Sequence, residues 1–303
     1  MRHRNVLVAL IALVVLLVAA VPASASHAWG SYHWGRSCST CAANITIYDS
    51  TATTNTAWGT HLNRSVFGDP SNPNTANRRG WNDSAALTLT ITAGGNSSTT
   101  RSSCPVVNNA IRVCNYTYGS NGWLGLASIN TVSGTTHIAY GTAKMNDTYF
   151  NGGGYPETEK RHVMCQEVGH DFGLNHTSTN GSSQNTCMDY YSNTSGSDWA
   201  STGPNQHDFD QLLTQHHWGA KTFLPGEFAA VNAYRFPGDD NLNEPWQWGT
   251  PQGFDPQGRA NLFKIDLGTD AEGNEYAIWT RVIWADEKPE RDIEHPTVLR
   301  MQE

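Results

Sequence analysis

The stretch CQEVGHDFGLNH, residues 165–176, constrains the fold more than any other part of the chain. At about 100° per residue, Gln166, Glu167 and His170 fall on one arc of a helix about a quarter-turn wide. The pattern predicts a helix that begins near Pro156 and ends near Gly173, with an apolar face toward the core. The apolar face consists of Met164, Val168 and Phe172.

The polar face of this helix carries the donor groups of a metal site. Side chains four residues apart stand one above the other, so Gln166 and His170 can share one ion. An exit at Gly173 would turn the chain so that His176 points back at that ion. Three protein ligands and an open fourth position are what hydrolytic zinc requires. The residues therefore predict a Zn²⁺ site held by Gln166, His170 and His176, with Glu167 taking a proton from water.

These residues resemble the metzincin clan of secreted zinc endopeptidases, whose motif is H-E-x-x-H-x-x-G-x-x-H followed by a Met-turn. Glu167, His170, Gly173 and His176 fall in register with that motif. The resemblance implies an α+β fold with a twisted mixed β-sheet, an active-site helix, a Met-turn and a C-terminal helix. It also implies hydrolysis of peptide bonds, with Glu167 as the general base.

The Met-turn has its counterpart in the stretch TCMDY, which places Met188 twelve residues after His176. In metzincins the methionine of this turn underlies the metal. Tyr190 matches the tyrosine that astacin-like members use as an extra ligand and transition-state donor. The resemblance thus makes Glu167 and Tyr190 the expected catalytic residues.

Gln166 stands where the clan has its first histidine. We expect it to bind zinc through its side-chain oxygen, because a neutral amide leaves the charge of the site unchanged. The amide NH₂ would then need an acceptor such as a backbone carbonyl. An amide oxygen is a poorer donor to zinc than imidazole, so we expect a weaker but active site.

The N-terminus has the pattern of a secretory signal peptide. Arg2 and Arg4 precede an apolar run over residues 6–21, and Ala23-Ser24-Ala25 offers a cleavage site. Removal of residues 1–25 leaves 17 of the 19 basic side chains against 27 acidic ones, a net charge of −10. This charge argues against nucleic acid or an anionic membrane as partner. We expect a secreted, extracellular monomer.

All six cysteines follow this segment, and an even number in an exported chain favours disulfides. Cys165 and Cys187 precede two segments that are adjacent in metzincins, so the resemblance implies a bridge between them. Cys104 and Cys114 flank a predicted hairpin and would form a second bridge. Cys38 and Cys41 could hold zinc as a thiolate in a latent form, but the compartment favours a disulfide.

Short runs of β-branched residues, or of alternating apolar and polar residues, predict strands where Gly, Asn and Ser bound them. Apolar residues three or four positions apart predict helices. The predicted strands are 44–48, 86–92, 110–114, 124–129, 136–142, 261–267 and 275–285, and the further helices are 54–67 and 205–218. A Pro/Gly/Trp-rich connection separates the last two strands from the rest. We therefore predict a catalytic domain over residues 26–224 and a small β-rich extension with a frayed tail over residues 225–303.

The stretch over residues 136–150 resembles the edge strand of the clan, which pairs with an extended substrate. The resemblance implies a peptide or protein substrate in extended conformation. An ordinary sheet edge is the alternative interpretation of the same residues.

Three other hypotheses remain open from the sequence. The chain could be a pseudo-peptidase that keeps the fold for binding, since Gln166 replaces a ligand. The helix could also be amphipathic without any metal. Cleavage after Ser26 would instead make His27 the N-terminal residue, which resembles the copper-binding terminus of polysaccharide mono-oxygenases.

Overall fold

The computed structural model describes residues 26–285 except 39, 53–56, 133–136, 218–241, 270, 272 and 274. The fold is mixed, with a core made mostly of β-sheet and few helices, in agreement with the predicted α+β class. The strands are β1 His33–Trp34, β2 Ala43–Ser50, β3 Leu87–Ala93, β4 Ala110–Tyr116, β5 Trp123–Val132, β6 His137–Asn146, β7 Thr250–Phe254, β8 Ala260–Thr269 and β9 Glu275–Trp284.

Five α-helices lie in the described part of the chain, together with four short 3-10 helices. The α-helices are α1 Trp58–Phe67, α2 Ser98–Ser103, α3 Asp147–Phe150, α4 Glu157–Asp171 and α5 Gln206–His217. In α1 the predicted spacing is confirmed, because Trp58, Leu62 and Val66 are all buried. Helix α4 follows Pro156, whose fixed φ angle and missing N–H suit a helix start.

The strands form one sheet with the order β3-β2-β4-β6-β5-β9-β8-β7, and β1 pairs with β6 off this path. Strands β2, β3, β4 and β6 run parallel, whereas β5, β9, β8 and β7 follow as antiparallel neighbours. Parallel neighbours need crossover connections, and α1 lies in the one from β2 to β3. Helix α2 lies in the connection from β3 to β4, which are on opposite sides of β2. The β-strands of the predicted C-terminal extension therefore continue the sheet formed by the preceding residues.

Two large apolar clusters hold the described elements together. The first lies between the sheet and helices α1, α4 and α5, and it includes Trp58, Trp81 and Phe172. The second joins the C-terminal strands to β5, since Trp248 and Val282 pack with Trp123. Burial of such large apolar groups on both sides of the β5–β9 pairing stabilises that junction.

The three predicted disulfides are present: Cys38–Cys41, Cys104–Cys114 and Cys165–Cys187. The last connects helix α4 to the segment that carries Met188. Because both of its cysteines are fully buried, this bridge lies inside the core.

The prediction of an edge strand over residues 136–150 is wrong. Strand β6 pairs with β4 on one side and with β5 on the other, and residues 147–150 form helix α3. The alternation of apolar and polar side chains along a strand does not show whether the strand has one neighbour or two. The neighbours at its two edges are segments far away in the sequence. Strand β6 therefore offers no free backbone to a peptide.

The predicted signal peptide, the domain boundary near residue 224 and the frayed tail after residue 285 lie outside the described residues. Among the helices of the described part, none has the length and apolar character needed to cross a membrane.

Candidate metal centre

Helix α4 lies against the sheet with its polar face inside the molecule. Every residue from Arg161 to Asp171 is buried. A Cβ atom at Gly125 of strand β5 would lie 2.4 Å from the Glu167 Oε1 atom, so this carboxylate occupies space that only a glycine leaves open. The predicted polar front of the helix is thus enclosed by other elements.

The imidazoles of His170 and His176 converge at their outer nitrogens. Their Nε2 atoms lie 3.2 Å apart, and the ring centroids are 4.7 Å apart. Two nitrogens bound at about 2.05 Å to one tetrahedral zinc are separated by about 3.3 Å. The separation of the two nitrogens therefore matches that of a pair of ligands to one ion.

Gly173 produces the turn that brings His176 back to the helix. Its φ angle is 88°, in the left-handed region, and a Cβ atom there would meet the Tyr32 carbonyl oxygen at 2.3 Å. Only glycine satisfies both conditions without strain. The Gly173 N–H donates to the His170 carbonyl at 2.9 Å, which closes the end of the helix.

The amide of Gln166 connects the helix to the segment around Met188. Its Nε2 group donates to the carbonyl of Cys187 at 2.7 Å and also to the carbonyl of Asp189. The backbone acceptor expected for this NH₂ is therefore present, and there are two of them. A neutral histidine has a single N–H, so it could not make both hydrogen bonds.

Met188 packs beneath the same part of the helix. A Cβ atom at Gly169 would lie 2.4 Å from the Met188 sulfur, so the side chain fills the space that this glycine leaves. The Cys165–Cys187 bridge and the hydrogen bond from Trp81 Nε1 to the Cys165 carbonyl hold the neighbouring backbone. These contacts place Met188 against helix α4, and its expected place beneath a metal ion stays a prediction.

Glu167 is a buried carboxylate whose two oxygens accept no hydrogen bond from the residues that the structure describes. Burial raises the pKa of its carboxyl well above the ordinary value, the charge of Asp171 raises it further, and Arg281 lowers it. A raised pKa favours the protonated, neutral form of a buried carboxyl group, because a charge is costly in an apolar environment. The role of general base expected for Glu167 stays a prediction.

Tyr190 lies beside His176, with ring centroids 4.9 Å apart in an edge-on arrangement. Its hydroxyl donates to Asp255 Oδ2 at 3.2 Å. Burial, and then the charge of Asp255, raise the pKa of Tyr190. The phenol therefore stays protonated and is available as a hydrogen-bond donor, but its proton is directed to Asp255.

Arg281 and Asp255 are residues of this region that sequence reasoning missed. Both belong to the C-terminal segment, and no motif connects them to residues 165–190. Burial lowers the pKa of Arg281 to about 10, and the charge of Glu167 raises it. Asp171, one helical turn beyond Glu167, was also missed, although its spacing of four residues is a usable signal.

A second group of possible ligands lies away from this helix. Among the described His, Cys, Asp and Glu residues, His27, His207 and Asp208 have ligand atoms within 4.8 Å of one another. The rings of His27 and His207 stack at 4.6 Å and 23°, so their nitrogen lone pairs lie in two nearly parallel planes, which is unfavourable for binding one ion between them. His27 Nε2 lies 3.1 Å from Asp208 Oδ1, so the two side chains connect the N-terminal segment to helix α5.

The chain was compared with protein-family models, with curated proteins and with solved structures. No family model, no curated protein and no solved structure matches it.

Proposed function

We propose that this protein is a secreted zinc-dependent endopeptidase of the metzincin type. The observation that carries the proposal is the 3.2 Å separation of the His170 and His176 Nε2 atoms. The Glu167 carboxylate, which has no hydrogen-bond partner among the described residues, lies on the same helix as His170. A buried carboxylate without hydrogen-bond donors among the described residues is costly for stability, and a bound cation would offset that cost. The mixed sheet, the Met188 segment and helix α5 support the family assignment.

His170, His176 and the Gln166 side-chain oxygen would hold the zinc ion. Bound zinc would supply a Lewis acid that polarises the scissile carbonyl and lowers the pKa of water. The Gln166 amide is oriented by its two carbonyl acceptors, and the His170 ring is oriented by the contact of Nδ1 with the Leu174 carbonyl at 2.8 Å. Such contacts fix the direction in which a ligand presents its lone pair.

Glu167 would accept a proton at its carboxylate from the attacking water and deliver it to the leaving amine. Its position next to Gln166 on helix α4, with both oxygens free of hydrogen bonds from the described residues, supports this role. Tyr190 would donate a hydrogen bond to the developing oxyanion after its hydroxyl leaves Asp255. The substrate is proposed to be a peptide, and strand β6 is not its binding site, because both edges of this strand are paired.

The test combines zinc content with peptide cleavage for the wild type, Glu167→Gln and Gln166→Ala. We expect Glu167→Gln to retain zinc and to lose at least about 100-fold in kcat, since the isosteric amide cannot take a proton. Gln166→Ala should bind zinc more weakly. Wild-type cleavage that survives unchanged in Glu167→Gln would place the chemistry elsewhere.

A pseudo-peptidase is the second candidate, and the burial of the site favours it. Glu167 and His170 are fully buried, and the C-terminal strands contact His176 and Tyr190. A peptide would need these contacts to open before it could reach the helix. Zinc binding without cleavage of casein or gelatin under any condition would support this candidate over the enzyme.

A further inference from the structure

A small cavity lies between helices α1 and α4, and its lining residues are distinct from those of the candidate metal centre. Its basic and acidic lining residues are Arg64, Arg79, Arg161, His61 and Asp69, and Ser65 adds a hydroxyl. The cavity has a volume of about 10 Å³, which is room for about one species the size of a water molecule. A water molecule or a monatomic ion is therefore the largest occupant that it takes.

The sequence places three of these side chains on one face of helix α1. His61, Arg64 and Ser65 are three and four residues apart, so they stand next to one another along the helix. Helix α4, which packs against α1, contributes Arg161. Two packed helices therefore fix the positions of most of the groups that face the cavity, and groups on helices are held more precisely than groups on loops.

Three guanidinium groups surround the cavity with too few carboxylates to balance them. Arg161 donates to Asp69, and also to Glu157 at 3.2 Å. Arg64 lies 3.5 Å from the same Asp69 and 3.9 Å from the same Glu157. Arg79 donates instead to a neutral side-chain amide at 2.8 Å. Among the described residues, three cations thus share two carboxylates, and one positive charge is left over.

The lining also contains buried polar groups that have no hydrogen-bond partner among the described residues. They are the Ser65 hydroxyl and the Nδ1 atom of His61. The two residues are 4% and 2% exposed. A hydroxyl can donate a hydrogen bond, and so can the Nδ1–H group of a neutral imidazole. Buried donors without an acceptor destabilise the folded state, so an acceptor in the cavity would remove this cost.

The charges and donors of the lining favour a chloride ion over other species. A water molecule would accept hydrogen bonds from Ser65 and His61, but it would leave the surplus positive charge beside the buried Arg161 unbalanced. A metal cation would be repelled by the three guanidinium groups. Sulfate and phosphate have a suitable charge but are too large for a cavity of about 10 Å³.

We propose that the cavity between α1 and α4 is a binding site for one chloride ion. The ion accepts hydrogen bonds from Ser65 and His61, and its charge balances the surplus positive charge of the three arginines. Arg79 is exposed, so the ion can enter from solvent on that side. Because binding requires the folded arrangement of α1 and α4, chloride stabilises the folded chain. This inference does not depend on the proposed zinc centre.

The first test measures urea unfolding near neutral pH in sodium chloride and in sodium gluconate of equal concentration, for the wild type, Ser65→Asp and Ser120→Asp. Gluconate is too large for the cavity. We expect chloride at about ten times its Kd to raise the wild-type midpoint by about 0.5 M urea. In Ser65→Asp a carboxylate supplies the negative charge, so this shift should disappear. Ser120→Asp is the matched control, because it makes the same charge change at an exposed residue and should keep the shift.

Two results of the first test would overturn the proposal. One is a wild-type midpoint that is the same in chloride and in gluconate. The other is an equal shift in all three proteins, which would show a general salt effect on unfolding.

The second test uses only the wild type and so does not depend on the folding of a variant. Bromide resembles chloride in charge and size and scatters X-rays anomalously, so crystals grown in sodium bromide locate the ion directly. The expected result is an anomalous peak in the cavity beside Ser65 and His61. Density for a water molecule there, without an anomalous peak, would refute the chloride site whatever the variants show.

Discussion

At the scale of single residues, His61 shows how one buried side chain couples stability to pH. It lies in helix α1, is almost fully buried, and its Nε2 atom is 3.5 Å from Glu157. Burial lowers the pKa of His61 from 6.5 to about 4, although Glu157 raises it. Between these two pH values the unfolded chain binds more protons than the folded one, so the free energy of unfolding falls as the pH falls.

We therefore predict that His61→Gln loses less stability on acidification than the wild type. The difference should reach up to about 3 kcal/mol between pH 7 and pH 4, from a shift of about 2.5 pKa units. Urea unfolding at a series of pH values measures it. Above pH 7 the free energy of unfolding should depend on pH in the same way for both proteins. If the two free energies also fall in parallel below pH 6.5, the prediction is wrong.

At the scale of elements, the Cys165–Cys187 bridge connects helix α4 to the segment that carries Met188. The two cysteines are 22 residues apart in sequence, and a loop of this length stabilises the folded state by about 3 kcal/mol in the chain-entropy model. We predict that Cys165→Ala/Cys187→Ala loses about that amount of unfolding free energy. Cys38→Ala/Cys41→Ala, whose bridge spans 3 residues, is the control and should lose less. Equal losses, measured by urea unfolding, would show that loop length does not decide the effect.

The same elements show what could be predicted from the sequence. Helix α4 and its glycine exit follow from local spacing, and so do the burial of Trp58 and Leu62 and most of the strand positions. The partners of each strand cannot be predicted in this way, because a strand has two edges and pairs there with segments that are distant in the sequence. The error at β6 and the missed contact of Arg281 with His176 have this one cause.

At the scale of the whole molecule, the C-terminal strands are packed as part of the main sheet. Trp248, Phe263 and Val282 cover Trp123 and Leu126 of strand β5. We predict that a chain ending at residue 241 exposes this apolar surface and unfolds at a lower urea concentration than the full chain, which should unfold in one transition. Tryptophan fluorescence and circular dichroism would measure the unfolding of the truncated chain and of the full chain. An unchanged midpoint after truncation would show instead that the C-terminal strands are an independent unit.

The pairing of β5 with β9 also sets an order of events during synthesis. Leu126 pairs with Val282, so more than 150 residues must emerge before β5 finds this partner. Until then the nascent chain presents the apolar edge WLGLASIN to solvent, to chaperones and to other nascent chains. Contacts between residues so distant in sequence form slowly, because the entropy of closing the intervening loop must be lost first. His176 and Tyr190 are therefore synthesised well before Arg281 and Asp255, and for that interval the histidine pair meets the ions of its surroundings without its C-terminal cover.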